Sequence, residues 1–189
     1  MQVFIRCLDI MLAAFGLIVA FPMLLVLLLL GFFDTGSPLF WQERVGRNQK
    51  PFTLVKFRTM RKDTPSLASH LANPASVTRY GAFLRRTKLD ELPQLWNVLT
   101  GDMGLVGPRP CLVSQKELVS ERQSRGVYEV RPGITGLAQL SGIDMSTPRL
   151  LAETDAEMLR SLTLKSYFGF LIMTLRGRGA GDRVKNLSA

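Results

Sequence analysis

From Ile10 to Phe33 the chain runs for 24 residues without one charged side chain. As an α-helix that run reaches about 36 Å, more than the roughly 30 Å hydrocarbon core of a bilayer, so it is long enough to cross. A cleaved secretory signal fits poorly. The run outlasts the usual apolar core of about 7 to 15 residues, and it ends in Phe32-Phe33, where a cleavage site needs small residues. Pro22 lies near the middle, where it removes a backbone hydrogen bond and presses on the preceding turn, so a bend or a break is expected there. Two topologies follow, a kinked spanning anchor or a re-entrant hairpin that turns at Pro22 and returns to the face it entered, and periodicity does not separate them. Basic residues flank both ends, Arg6 before the run and Arg44, Arg47, Lys50, Lys56, Arg58, Arg61 and Lys62 after it, which is compatible with both flanks being cytoplasmic.

The rest of the chain has the composition of a folded domain. With 47% hydrophobic and 21% charged residues over 189 positions, a disordered tail and a polytopic membrane protein are both excluded. The balance of 24 Lys and Arg against 15 Asp and Glu gives +9, which attracts phosphate, whether in nucleic acid, anionic lipid or a nucleotide. Nucleic acid is disfavoured, because acids interrupt the cations and no aromatic-rich strand offers a stacking platform. Cys7 and Cys111 form neither a disulfide framework nor a metal-ligand spacing, so a reducing compartment is expected. His70, the single histidine, lies in a Ser/Ala/Asn-rich stretch and reads as a surface loop residue.

Asp34 to Pro38 reads as a turn-rich joint, Phe52 to Phe57 as a short strand, and Pro65 to Ala75 as an exposed loop. Thr147-Pro148 is a helix start signal within the segment Asp144 to Asp155. Tyr167 to Leu175 is apolar but too short to span, so it reads either as a core helix or as one lying in the membrane interface. Arg131-Pro132-Gly133-Ile134-Thr135-Gly136 reads either as a purely structural turn or as a place where backbone approaches a ligand.

Leu92, Leu95, Trp96 and Leu99 recur at helical spacing, and Pro93 suits a first helical turn, so Asp90 and Glu91 are expected at a helix N-terminus. Acids are favoured there simply because they cap free N–H groups and oppose the dipole. The neighbourhood adds a chemical reading. Arg79, Arg85, Arg86 and Lys88 lead into the pair, and Arg109 follows in the stiff turn Gly107-Pro108-Arg109-Pro110. Among such cations one ionised carboxylate can attack phosphorus while its neighbour holds Mg²⁺, which together with Arg and Lys offsets the repulsion between an acid and a diphosphate.

These residues resemble the bacterial sugar transferase family, the small monotopic phosphoglycosyl transferases. The likeness is carried by Phe40-Trp41-Gln42-Glu43-Arg44-Val45-Gly46, Lys56-Phe57-Arg58-Thr59-Met60, Leu89-Asp90-Glu91-Leu92-Pro93-Gln94-Leu95-Trp96-Asn97, Gly101-Asp102-Met103 with Leu105-Val106-Gly107-Pro108-Arg109-Pro110, and Arg131 to Gly136 with Ala138-Gln139. The resemblance implies an α+β, mainly helical fold. A broken re-entrant membrane helix over residues 1–34, bent near Pro22, would precede one compact cytoplasmic catalytic domain over residues 35–189, with short strands and interface-lying helices.

The activity implied is transfer of a sugar 1-phosphate from a nucleoside diphosphate sugar, usually a UDP-sugar, to polyprenyl phosphate, with release of UMP, at the bacterial inner membrane. In that scheme Asp90 is the nucleophile, Glu91 assists, Mg²⁺ binds at the pair, and Lys56, Arg58, Arg85, Arg86, Gln94, Arg109, Arg131 and Gln139 are the substrate-binding candidates. Self-association as a homodimer is left open. Met158 stands where the family pattern leads to an aromatic residue. Two other readings compete: a single-step reaction with Asp90 as general base, and a non-enzymatic, membrane-tethered basic module that docks on anionic lipid.

Overall fold

The structure, a computed structural model, describes residues 2–65 and 73–179; His70 and most of the expected Pro65 to Ala75 loop lie outside the described residues. Helix α1 (Gln2–Thr35) holds the whole apolar run. Its helical ladder continues through Pro22, so of the bend or break expected there the break does not occur. A proline removes a single N–H, and the apolar residues on either side are good helix formers that carry the ladder past it. The helix ends where Gly36 enters the left-handed region at φ 70°, its N–H returning to the Phe32 carbonyl at 2.8 Å. Among the described residues α1 alone is long and apolar enough to cross a membrane, and only 11% of its most apolar 18-residue window is buried.

One stripe of α1 lies along the remainder of the protein and is tied to it at both ends. Near its start the Arg6 guanidinium donates to the carbonyls of Val98 (2.7 Å) and Met103 (3.0 Å). Asp9 Oδ1 accepts from the Leu105 N–H (3.0 Å) and the Tyr167 hydroxyl (2.7 Å). Near its end the Tyr80 hydroxyl donates to the Leu27 carbonyl (2.7 Å), and Thr78 Oγ1 donates to Asp34 (2.7 Å). Between these ties Ala13 and Leu27 are buried, while Phe15, Val19, Val26 and Leu29 face outward.

Strands β1 (Leu39–Val45) and β2 (Pro51–Phe57) form an antiparallel hairpin with Leu39 opposite Phe57 and Val45 opposite Pro51. The second strand matches the expected one. The first escaped hydrophobic patterning because its buried face is polar: Gln42 and Arg44 point inward, and Arg44 donates to Gln42 Oε1 (2.5 Å) and the Pro110 carbonyl (3.0 Å). Helix α2 (Arg79–Thr87) packs so closely on the chain after β2 that a Cβ at Gly81 would come within 2.0 Å of the Thr59 carbonyl. Helix α3 (Gln94–Thr100) closes the free edge of β2, because Asn97 accepts from the Val55 N–H (3.0 Å) and donates to the Thr53 carbonyl (2.8 Å).

Strands β3 (Gly104–Val106) and β4 (Gly133–Thr135) pair in parallel. A Cβ on Gly133 would lie 2.1 Å from the Gly107 nitrogen. The close backbone approach made by the Arg131–Gly136 turn is therefore to the Gly107 main chain, which is the structural reading of that motif. Beyond β3 lie α4 (Lys116–Ser124), the short α5 (Leu137–Leu140), α6 (Pro148–Ser161) and α7 (Leu164–Leu175). Met158 fills a core position with Val98, Met103 and Tyr167. Helix α7 divides its faces: Tyr167 is fully buried with Phe170 and Leu171 against the core, while Leu164, Phe168, Ile172 and Leu175 are exposed at spacings of four, four and three.

Asn97→Ala is expected to destabilise the fold by about 1–3 kcal/mol, because it strands the buried Val55 N–H. Denaturant unfolding in detergent checks this, with exposed Glu43→Ala as the control of no effect.

Candidate active site

The acid pair is built from the end of α2. Lys88 takes a left-handed conformation (φ 59°) that stops α2 and turns the chain into a short 3₁₀ segment, Leu89–Glu91. Leu89 packs against the buried cluster of Leu27, Phe57 and Leu84, so the turn is fastened to α1, α2 and β2 together. Asp90 is thereby buried, at 3% exposed. The expected placement of the acids as caps of the following helix is corrected: the cap position of α3 is Pro93, without a side-chain cap, and the acids occupy their own turn ahead of it.

Cations lie on several of the elements near this turn. Strand β2 packs against it and carries Lys56, which is buried, with Arg58 just beyond its end. Both cations lie over the Phe40 ring, at 5.7 Å and 5.2 Å from its centroid. Arg58 is also held by the carbonyls of Ser37 (2.9 Å) and Leu39 (3.4 Å). From α2, Arg85 donates to Thr59 Oγ1 at 2.8 Å, while Arg86 is exposed on the helix surface. The Lys88 ammonium donates to the Arg178 carbonyl. Arg109 forms a 2.7 Å ion pair with Glu91, with the two side chains 21% and 11% exposed. Gln94 is buried at the start of α3.

Two candidates lie elsewhere. Gln139 donates to the Ile134 carbonyl (2.8 Å) and braces the turn from β4 into α5. Arg131 sits at the opposite end of α3 from Asp90, donating to the Gly101 carbonyl at 2.7 Å. Arg109 thus pairs with Glu91, Lys56 and Arg85 lie on elements that pack against the acid turn, and Arg131 is held at the far end of α3.

Sequence reading missed the frame behind Arg109. Arg122 donates to the Arg109 carbonyl (2.8 Å) and, through Nε and Nη2, to Asp155 Oδ2 (3.0 and 2.6 Å), with both side chains almost wholly buried. Burial works against the Arg122 charge, but Asp155 outweighs it and holds the guanidinium above its ordinary range. The signal was present: Arg122 follows Leu118 by four positions and Asp155 follows Leu151 by four, which puts one charge on the core face of each helix.

Asp90 and Glu91 are the carboxylates available for a metal at this turn, and among the described residues no cluster of three or more such ligands exists. Two acids suit Mg²⁺, which is usually held by one or two carboxylates plus substrate phosphates and water. The donor set therefore fits that ion.

Comparison with known proteins adds the following. The profile of the family described as Bacterial sugar transferase matches residues 1–178. The sugar transferase EpsL of Bacillus subtilis is 49% identical over 108 residues, covering 57% of this chain and 53% of EpsL. The exopolysaccharide production protein PSS of Rhizobium leguminosarum is 43% identical over 155 residues, covering 76% of each chain. The UDP-glucose:undecaprenyl-phosphate glucose-1-phosphate transferase of Caulobacter vibrioides is 40% identical over 162 residues, 79% of this chain and 61% of that protein. The chain thus spans little more than half the length of some of the relatives it matches.

Arg122→Ala is expected to cost about 3–5 kcal/mol by leaving the Asp155 charge buried and alone. Replacing both, as Arg122→Met with Asp155→Leu, should recover most of that loss, which thermal unfolding of the two variants measures.

Proposed function

Because the chain belongs to the bacterial sugar transferase family, we propose that it transfers a sugar 1-phosphate from a UDP-sugar to polyprenyl phosphate, releasing UMP. The observation that carries this reading is the buried Asp90 in its own turn, packed against strand β2, with the neighbouring Glu91 paired to Arg109. In this scheme Asp90 attacks the phosphorus that bears the sugar. The bond from that phosphorus to the bridging oxygen breaks, the oxygen leaves with UMP, and an acyl phosphate joins Asp90 to the sugar phosphate. The lipid phosphate then attacks the same phosphorus, which frees the carboxylate and yields a polyprenyl diphosphate sugar. Splitting the transfer means the soluble donor and the lipid acceptor need not be bound together.

Each side chain has a task set by its position. Lys56 and Arg58, stiffened over Phe40, and Arg85, steered by Thr59, are suited to the donor's phosphate oxygens. Arg109 fixes Glu91, so the acid beside the nucleophile keeps one orientation. Mg²⁺, when bound by Asp90 and Glu91 with diphosphate oxygens, would neutralise charge on the leaving phosphate.

The proposed topology is re-entrant, with α1 bending near Pro22 while its helical ladder stays continuous, at the cytoplasmic face of the bacterial inner membrane. Its support is that both ends of α1 are bonded to the same domain, Arg6 through Val98 and Met103, Asp34 through Thr78. A helix that carried one end across a bilayer would have to break one of these ties. The outward Phe15, Val19, Val26 and Leu29 then enter the lipid from one side. So attached, the domain keeps Asp90 close to the headgroup layer, where the acceptor phosphate resides.

Asp90→Asn is expected to lower turnover by at least a thousand-fold, with membrane association and thermal stability retained. Intact-mass measurement of the native protein incubated with donor alone should reveal a phosphosugar adduct that is lost in this variant. A variant of full activity, or UMP release that requires the lipid acceptor, would sink the two-step reading. Tags at each terminus should both be accessible only from the cytoplasmic side.

A further inference from the structure

At the end of α3 remote from Asp90 lies a cavity of about 110 Å³ that the proposed reaction does not use. Three arginines line it from three parts of the chain: Arg6 of α1, Arg47 of the turn joining β1 to β2, and Arg131 ahead of β4. Each is already tethered to main chain. Arg6 uses both terminal nitrogens on Val98 and Met103, whereas Arg47 and Arg131 use only Nε, on the carbonyls of Glu129 (2.9 Å) and Gly101 (2.7 Å). Among the described residues the terminal nitrogens of Arg47 and Arg131 have no hydrogen-bond partner.

The acids present do not balance this charge locally. Asp9 is committed through Oδ1 to Leu105 and Tyr167, and Glu129 is the other carboxylate in the lining. Burial, and then the like charges of Arg6 and Arg47, hold the Arg131 guanidinium below its ordinary range, with Asp9 opposing. Capping of the carbonyls at the end of α3 accounts for Arg6 and Arg131. It gives no reason for Arg47 to be held beside them.

We propose that Arg6, Arg47 and Arg131 form a binding site for the phosphate of a phosphate ester, separate from the Asp90 centre. Planar guanidinium forks match phosphate oxygens in pairs, and an anion would relieve the mutual repulsion of the three cations. The cavity is wide enough to take a phosphoryl group. Ile5, Leu159 and Leu162 form an apolar wall, so the organic arm of an ester finds apolar surface beside the site. That chemistry has two sources, an anionic lipid headgroup or a free phosphate. The inference does not depend on the transferase reading.

The test is thermal unfolding of the full chain in detergent with EDTA, titrated with inorganic phosphate, short-chain phosphatidylglycerol or short-chain phosphatidylcholine. A saturable rise in Tm is expected with phosphatidylglycerol or phosphate and not with phosphatidylcholine. A response to phosphatidylglycerol alone assigns the site to lipid; a response to inorganic phosphate as well assigns it to any phosphate. Arg47→Ala, at an exposed position, and Arg131→Gln should each weaken the apparent Kd at least tenfold, while Lys56→Ala at the Asp90 end leaves it unchanged. No saturable shift in the native protein, an undiminished shift in both arginine variants, or loss of the shift in Lys56→Ala would overturn the proposal.

Discussion

The structure depends on polar ties between an otherwise lipid-like helix and the domain beside it. Arg6 and Asp9 near one end of α1, and Leu27 and Asp34 near the other, all engage groups on the domain. In an apolar setting such bonds are hard to exchange for water, so they fix both the depth and the rotation of α1. The same ties fasten the acid turn, because Leu27 packs on Leu84 and Phe57, and Leu89 closes that cluster. Membrane attachment and the shape of the candidate site are therefore one packing problem.

A second layer of buried polar contacts organises the cations. Arg44 holds the carbonyl of Pro110 and Arg122 that of Arg109, so two successive carbonyls in the turn carrying Arg109 are each gripped by a guanidinium. Burying these charges is expensive and is tolerated where the hydrogen bonds are nearly complete. The result is that Arg109 reaches Glu91 from a rigid support. Strand β2 packs against the acid turn, its own edge fixed by Asn97.

Much of this was legible in the residues. The apolar run, the strand at Phe52 to Phe57, the helix after Pro93 and the helix started by Thr147-Pro148 all follow from periodicity and turn chemistry, and the structure has them. Three features were not legible, each for a physical reason. Pro22 allowed either a bend or a break because proline rules are local, whereas the helix stays continuous through it on the propensity of long apolar flanks. Strand β1 was hidden because its inward residues, Gln42 and Arg44, are polar, and alternation was read through hydrophobicity. The acid pair sits one turn earlier than expected, since the left-handed Lys88 stops α2 sharply and creates a separate 3₁₀ segment. The basic neighbours of the pair were visible as a group, but only the fold separates Arg131, held at the far end of α3, from Arg85 and Arg109.

The amide of Asn97 behaves as a stand-in for a third strand: it completes the donor and acceptor that β2 would otherwise offer at Val55 and Thr53. At the end of the other strand, the Val45 N–H is taken by the Cys111 carbonyl at 2.9 Å. A two-stranded ribbon with open sides is a template for strand addition and fibril growth. This ribbon is sealed at the middle of one side and at the end of the other by loops and a helix. Crowding many copies on a membrane surface then carries little risk of ribbon-to-ribbon annealing, and any self-association is steered toward side-chain contacts.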